Sequence, residues 1–420
     1  MKKKIWILNH YATLMMINKD GRHYNFAKYL QQDNYEVTVF CANTVHNSEI
    51  VFTVENRLYR IEAINGIRYV IVKAVPYSGN GLSRILNMLI FAHNLKKTAK
   101  KLINSNDRPD VILASSVHPW TIQSGLKVAE KYHIPCICEI RDLWPETLIS
   151  LGILKRDSIV AKYLYKKEKW IYERADRIIF TMEGGVKYIK DRGWDIDNGG
   201  TINITKISHI NNGVDLQKFD TNVELYSGIH QEAFKKGFIN FVYTGSIRKA
   251  NNLDLVLIPI SKLLDEGVNI NCIIIGEGND RKELEQKYIK YSNIVFKGYV
   301  ENNKIPAILV QSDICLLCNH ATPVLRYGAS QNKVFEYMAA GKPILSTASP
   351  AYDIISANGL GVSLSNPLGD LVEKAINKLI LMPAYEREKM GINARKVSED
   401  YDYYKLTQKL SLIIEELIYK

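Results

Sequence analysis

The sequence predicts an α/β fold of two doubly wound domains, and three observations carry that prediction. Short apolar, β-branched runs alternate with longer amphipathic stretches along nearly the whole chain. The alternation occurs twice, on either side of the polar, glycine-bearing GWDIDNGGTINITK near 195–205. A chain of 420 residues also exceeds what one ordinary hydrophobic core holds.

The first set of runs is KIWIL (4–8), YEVTVF (35–40), IRYVIVKA (67–74), DVILASS (110–116), PCICEI (135–140) and RIIFTM (177–182). The second is INFVYTG (239–245), NCIIIGEG (271–278), NIVFKGYV (293–300), DICLLC (313–318) and PILST (343–347). Near-continuous apolar strands separated by helical stretches imply parallel sheets covered on both faces. The expected domains are 1–200 and 201–401. A closing helix over 402–420, with Leu406, Leu410, Ile413, Ile414 and Leu417 on one side, is expected to pack back on the first domain. Two such Rossmann-like domains facing each other would hold a ligand in the cleft between them, beyond the carboxyl ends of the strands.

Fifty-five Lys and Arg against 44 Asp and Glu leave a formal charge of +11. That balance suits an anionic partner: nucleic acid, a membrane surface or a phosphorylated small molecule. Nucleic acid is not expected, because no nucleic-acid-binding module is present. Five of the six cysteines fall in apolar strand-like runs, as small buried hydrophobes do. Cys315 and Cys318 have metal-ligand spacing without a second pair, and DID (195–197) and DYD (400–402) follow no apolar strand, so no metal is expected. The opening apolar run, IWIL, is too short for a signal peptide, and no run approaches the ~20 apolar residues of a membrane span. The chain is expected in the cytoplasm.

RYGASQNKVFEYMAAGKPILS (326–346) reads as a loop, then a helix with Val334, Phe335, Met338 and Ala339 on a core-facing stripe. Its start offers free N–H groups and partial positive charge, which suits a phosphate. Gly328, Ala329 and Ser330 permit close backbone approach, Lys333 adds charge, and Glu336 shares a face with Asn332. An ordinary helix with a solvated glutamate fits the same pattern. After the run 239–245, Gly245 and Ser246 form a strand-to-helix turn, with Arg248 and Lys249 placed to neutralise a diphosphate or simply solvated. Gly276 and Gly278 mark a close turn and lack the third glycine of a dinucleotide fingerprint. In the first domain, SSVHPW (115–120) and CEIRDLWPETL (138–148) begin at strand ends, so His118 and Arg141–Asp142 are candidates for the cleft. Trp144 and Pro145 add an apolar wall.

Two basic, apolar stretches remain. One, 81–103, carries Ile85, Leu86, Leu89 and Ile90 beside Lys96, Lys97, Lys100 and Lys101. The other, 162–177, interleaves Tyr163, Tyr165, Trp170 and Tyr172 with lysines and arginines. They suit peripheral contact with an anionic bilayer, at the inner face of the cell membrane, or a solvated cationic helix face.

In order and spacing, ILNHYA, GRHYNFAKYL, SSVHPW, EIRDLWPE, NNGVDLQKF, YTGSIRKANNLD, GEG, GYV and QNKVFEYMAAGKPI resemble glycosyltransferase family 4, the retaining GT-B enzymes, over almost the whole chain. The likeness is greatest to bacterial members that build O-antigen, capsule and exopolysaccharide, including N-acetylfucosamine-type transferases. The resemblance implies a nucleoside diphosphate sugar donor, UDP-linked, and transfer of a hexosyl group, N-acetylated or deoxy, to a polyprenyl-diphosphate-linked saccharide. Glu336 matches the family's ribose-binding glutamate, and the first glutamate of the pair would fall at Gly328. Arg248 and Lys249 match the diphosphate-binding residues, while Gly21 and Arg22 match the first-domain loop facing the donor phosphates. The implied route is front-face and metal-independent, needing no cofactor, with His118 at the donor sugar and Asp142 orienting the acceptor. A UDP-sugar epimerase on the same plan is the alternative.

Overall fold

A computed structural model describes residues 2–46, 48–55, 57–79, 81–116, 118–365 and 369–419. The chain divides into two compact units, Met1–Asn211 with Tyr403–Lys420, and Asn212–Asp402.

The first unit is built on eight strands: β1 (Lys4–Leu8), β2 (Glu36–Ala42), β3 (Tyr59–Ile64), β4 (Ile67–Val72), β5 (Val111–Ser116), β6 (Cys136–Ile140), β7 (Arg177–Phe180) and β8 (Ile207–His209). Their order is β3-β4-β2-β1-β5-β6-β7-β8, parallel throughout except for β3, which pairs antiparallel with β4 at the edge. That edge strand departs from the all-parallel expectation for a visible reason. YRIEAI alternates half-buried and exposed positions, so one face of β3 is left to water. The central strands are buried on both faces, as their unbroken apolar runs require.

Helices cover both faces of the sheet. On one face, Arg22–Gln32 and Tyr403–Ile418 pack together and place Phe26, Leu30, Leu406, Leu410 and Ile414 in a core with Ile5, Val39 and Leu113. On the other, Pro119–Tyr132 lies so close to the strands that a Cβ at Gly125 would come within 2.7 Å of Ala114. The boundary falls at Asn211 rather than at residue 200, because β8 completes the first sheet by pairing with β7.

The second unit is a six-stranded parallel sheet of β9 (Ile239–Thr244), β10 (Ile270–Ile275), β11 (Ile294–Gly298), β12 (Ile314–Leu317), β13 (Ile344–Ser346) and β14 (Gly361–Ser363), in the order β11-β10-β9-β12-β13-β14. One core lies under the helix Asn332–Ala339, and another lies under Asp254–Asp265 and Gly369–Leu381. The chain enters this unit and leaves it side by side: Val214 N donates to Tyr401 O at 3.0 Å, and Val214 bridges Asp402.

All six cysteines are free and buried. Among the described residues no helix is long and apolar enough to cross a membrane, and no group of three or more His, Cys, Asp or Glu is placed to hold a metal. The aromatic stripe expected over 162–177 is not a surface feature. Tyr165 and Tyr172 are buried, Trp170 is half-buried beneath Arg174, and only Tyr163 of the four is exposed.

Candidate active site

The helix Asn332–Ala339 is tied to its sheet from below. Val334, Phe335, Met338 and Ala339 are buried, and the Tyr337 hydroxyl accepts from Thr244 N at 3.1 Å while donating to Leu316 O at 3.2 Å. Those bonds fix the helix against the carboxyl ends of β9 and β12. Its N-cap, Gln331, accepts from Asn319 Nδ2 at 2.9 Å and does not cap its own helix; no acid stands in the first turn. The positive end of the helix is therefore not neutralised locally, which favours an anion. Ser330 Oγ accepts from Asn212 N at 2.8 Å, and Ser330 O from Asn212 Nδ2 at 2.7 Å, which anchors the loop before the helix. Asn332 is exposed and Glu336 half-buried.

Lys333 reaches across to the end of β9. Its Nζ donates to the Tyr243 hydroxyl at 2.8 Å, and that hydroxyl donates to Ser246 O at 2.6 Å. Burial pulls the lysine down to about 8. Gly245, at φ +129°, makes room for it: a Cβ there would stand 2.2 Å from Lys333 Cε. Ser246 follows, exposed. The expected direct turn into a helix is not formed, since the next helix starts only at Asp254. The intervening turn presents Arg248 and Lys249 to solvent, and among the described residues neither has an ion-pair partner.

Gly276 and Gly278 act through packing. Gly245 N donates to Ile275 O and Ile247 N to Glu277 O, both at 2.9 Å. A Cβ on Gly276 would lie 1.8 Å from Gly245 O, and one on Gly278 2.0 Å from Ile247 O. The two glycines thus hold the 245–247 loop in place from beside it.

In the first unit the structure places Arg22 differently from the expectation of a phosphate-facing cation. It is 2% exposed. Nε donates to Glu139 Oε1 at 2.6 Å, Nη2 to Ile210 O at 2.9 Å and Nη1 to Asn211 O. Glu139 also takes His23 Nε2 at 2.8 Å and the Ser115 hydroxyl. Burial by itself would raise the Glu139 carboxyl; Arg22, then His23 and Arg141, overcome it and hold the group well below the usual carboxylate range. Gly21, at φ +94°, gives the chain the sharp entry that Arg22–Gln32 needs.

His118 is 1% exposed, and its Nε2 sits 2.9 Å from Nδ1 of the equally buried His10. Burial pushes both imidazoles down, His10 to about 3, so the pair is neutral at physiological pH. Val117, in the same motif, lies outside the described residues. Asp142 is half-buried, raised by burial, and accepts from the Thr147 hydroxyl. Trp144 meets Trp120 edge to face at 5.9 Å.

Sequence reasoning passed over Glu139, His10, Tyr243 and Tyr337. Glu139 carried a signal, a lone charge in the apolar run CICEI, where only a paired carboxylate is stable.

Two family models cover most of the chain: Glycosyltransferase Family 4 over residues 23–218 and Glycosyl transferases group 1 over 229–397. The chain is a GT-B glycosyltransferase of the family 4 type. Solved structures agree on the fold. Sucrose-phosphate synthase from Thermosynechococcus elongatus superposes at TM-score 0.76 with 13% identity, covering 100% of both chains. HepE from Anabaena, in complex with UDP-glucose, gives 0.64 and 13%, covering 98% of this chain and 99% of its own. WaaG, a glycosyltransferase involved in lipopolysaccharide biosynthesis, gives 0.65 and 13% over 98% and 99%. No curated protein matches the chain by sequence. For this glycosyltransferase, Gly328 is instructive. It has φ +92°, so a glutamate at that position would be strained, and the missing first carboxylate accompanies a backbone that disfavours it.

Proposed function

We propose that this glycosyltransferase moves a hexosyl group, N-acetylated or deoxy, from a UDP-sugar to a polyprenyl-diphosphate-linked saccharide in surface polysaccharide biosynthesis, with retention and without a metal. One observation carries the reading: Lys333, an uncapped helix start, Arg248 and Lys249 gather at the carboxyl ends of the second sheet's strands with no neutralising acid in the helix's first turn. The complex of HepE with UDP-glucose and the involvement of WaaG in lipopolysaccharide biosynthesis support the donor and the pathway class by analogy.

Departure of the diphosphate builds negative charge, which these cations and amides stabilise more in the transition state than in the ground state. Glu336 takes the ribose hydroxyls. The acceptor hydroxyl attacks from the leaving-group side and gives its proton to the departing phosphate. His118, buried as a neutral imidazole against His10, supports the site from beneath rather than touching the donor sugar, and Asp142 orients the acceptor. The enzyme works in the cytoplasm, peripherally at the inner face of the cell membrane.

A thermal-shift screen of UDP, GDP and their sugars tests the reading. Stabilisation by one base and its glycosides, lost in Lys333→Met, is expected. No shift with any of them overturns it. An epimer formed from the UDP-sugar without acceptor would replace transfer with epimerisation.

A further inference from the structure

Arg22 and Arg141 stand at the same edge of the first sheet, and only Arg22 is matched. Arg141 directly follows β6, at its carboxyl end. The helix Arg22–Gln32 begins at that edge too, because it leads from β1 into the parallel strand β2. Arg22 spends its guanidinium inside the unit, on Glu139 and on the carbonyls of Ile210 and Asn211. Arg141 does not. It is half-buried, its Nε is enclosed without a hydrogen bond, and among the described residues its guanidinium has no ion-pair partner.

The acids at this edge are committed elsewhere. Glu139 is near enough to feel the Arg141 charge, but its oxygens take Arg22, His23 and the Ser115 hydroxyl. Asp142, the next residue, accepts from the Thr147 hydroxyl instead of pairing with Arg141. Glu183, which follows β7, accepts from Asn211 Nδ2 at 2.9 Å. A guanidinium only donates and cannot shed its charge, so leaving it enclosed and unmatched lowers the stability of the fold. An arriving anion would offset that loss.

We propose that Arg141 is the first unit's phosphate ligand and binds a substrate diphosphate beside Asp142. The planar fork of a guanidinium engages phosphate oxygens in pairs, which an ammonium cannot do. The inference rests on the transferase reading and deepens it, since the donor and the lipid-linked acceptor of that reaction both carry a diphosphate. It also gives Arg141 the role that the local sequence pattern suggested for Arg22.

The test is Arg141→Met in the full chain, with Arg141→Lys beside it. Titration calorimetry with UDP reads the donor's diphosphate, and titration with geranyl diphosphate at saturating UDP reads the acceptor's. Arg141→Met should weaken one of these ligands about tenfold or more, and Arg141→Lys should recover part of the loss. Without ligand, Arg141→Met should melt at or above the wild-type temperature, because it removes an enclosed, unmatched charge. A melting temperature below wild type would make Arg141 a structural residue and overturn the proposal. So would both ligands binding Arg141→Met as tightly as wild type. UDP binding by wild type leaves the transferase reading standing in either case, whereas wild type that binds neither ligand removes both.

Discussion

The Lys333 ammonium lies 2.8 Å from the Tyr243 hydroxyl, held in a low-dielectric position that a helix start and a glycine turn together enclose. Burial lowers its pKa to about 8. An arriving diphosphate favours the charged form, so binding takes up a proton wherever the free enzyme's lysine is neutral. UDP affinity should therefore be level below pH 7 and decline as pH rises through about 8. Calorimetric titrations from pH 6.5 to 9.5 (roughly the range a pKa near 8 requires) should show that decline in wild type and lose it in Lys333→Met, which binds weakly throughout.

Gly245→Ala should damage the same site from the other side. Alanine would be strained at φ +129°, at a cost of about 1–3 kcal/mol, and its methyl would displace Lys333. Nucleotide affinity should fall towards that of Lys333→Met. Wild-type affinity in a folded Gly245→Ala protein would separate the lysine's position from binding.

Glu139→Gln should cost about 3–5 kcal/mol, because it strands Arg22 in the core. The carboxyl's folded pKa is depressed, so its stabilisation is present above the ordinary carboxylate value and lost as pH falls through the lower folded one. Denaturant melts at pH 7 and pH 4 should show the variant's deficit narrowing in acid. Arg22→Met combined with Glu139→Leu should cost less than the two single changes summed.

Glu168 works in the opposite sense. Buried between the Tyr172 and Tyr188 hydroxyls, each 2.7 Å away, it is raised by burial to about 8. Its contribution to stability is full below its ordinary value of 4.5 and is lost as pH rises through about 8. Glu168→Gln keeps the hydrogen bonds without the ionisation. Its Tm should exceed that of wild type at pH 8.5 and match it near pH 5.

The strands that the sequence made legible are the ones with two buried faces, such as NCIII and DICLL, where an unbroken apolar run has no other soluble use. β3, β8 and β14 were not legible. β3 is half polar, and ISH and GVS are three-residue pieces that owe their conformation to a neighbouring strand rather than to their own pattern. At the candidate site, Lys333 and Gly245 could be read separately, but not their contact, which depends on how far the helix Asn332–Ala339 lies from β9. Arg22 illustrates the converse. A cation beside a glycine at a helix start has the local pattern of a phosphate ligand, and only the distant Glu139, 117 positions along the chain, shows that its charge is already matched.

The passage of the chain out of the first unit at Asn211 and back at Tyr403 sets an order of events during synthesis. The helix Tyr403–Ile418 supplies Leu406, Leu410 and Ile414 to a core whose other members leave the ribosome at the outset. The early-made half must wait with that apolar surface uncovered while the whole inserted half is translated. Its exposure to chaperones and to premature association is thus a consequence of connectivity, and removing the last helix would make the wait permanent.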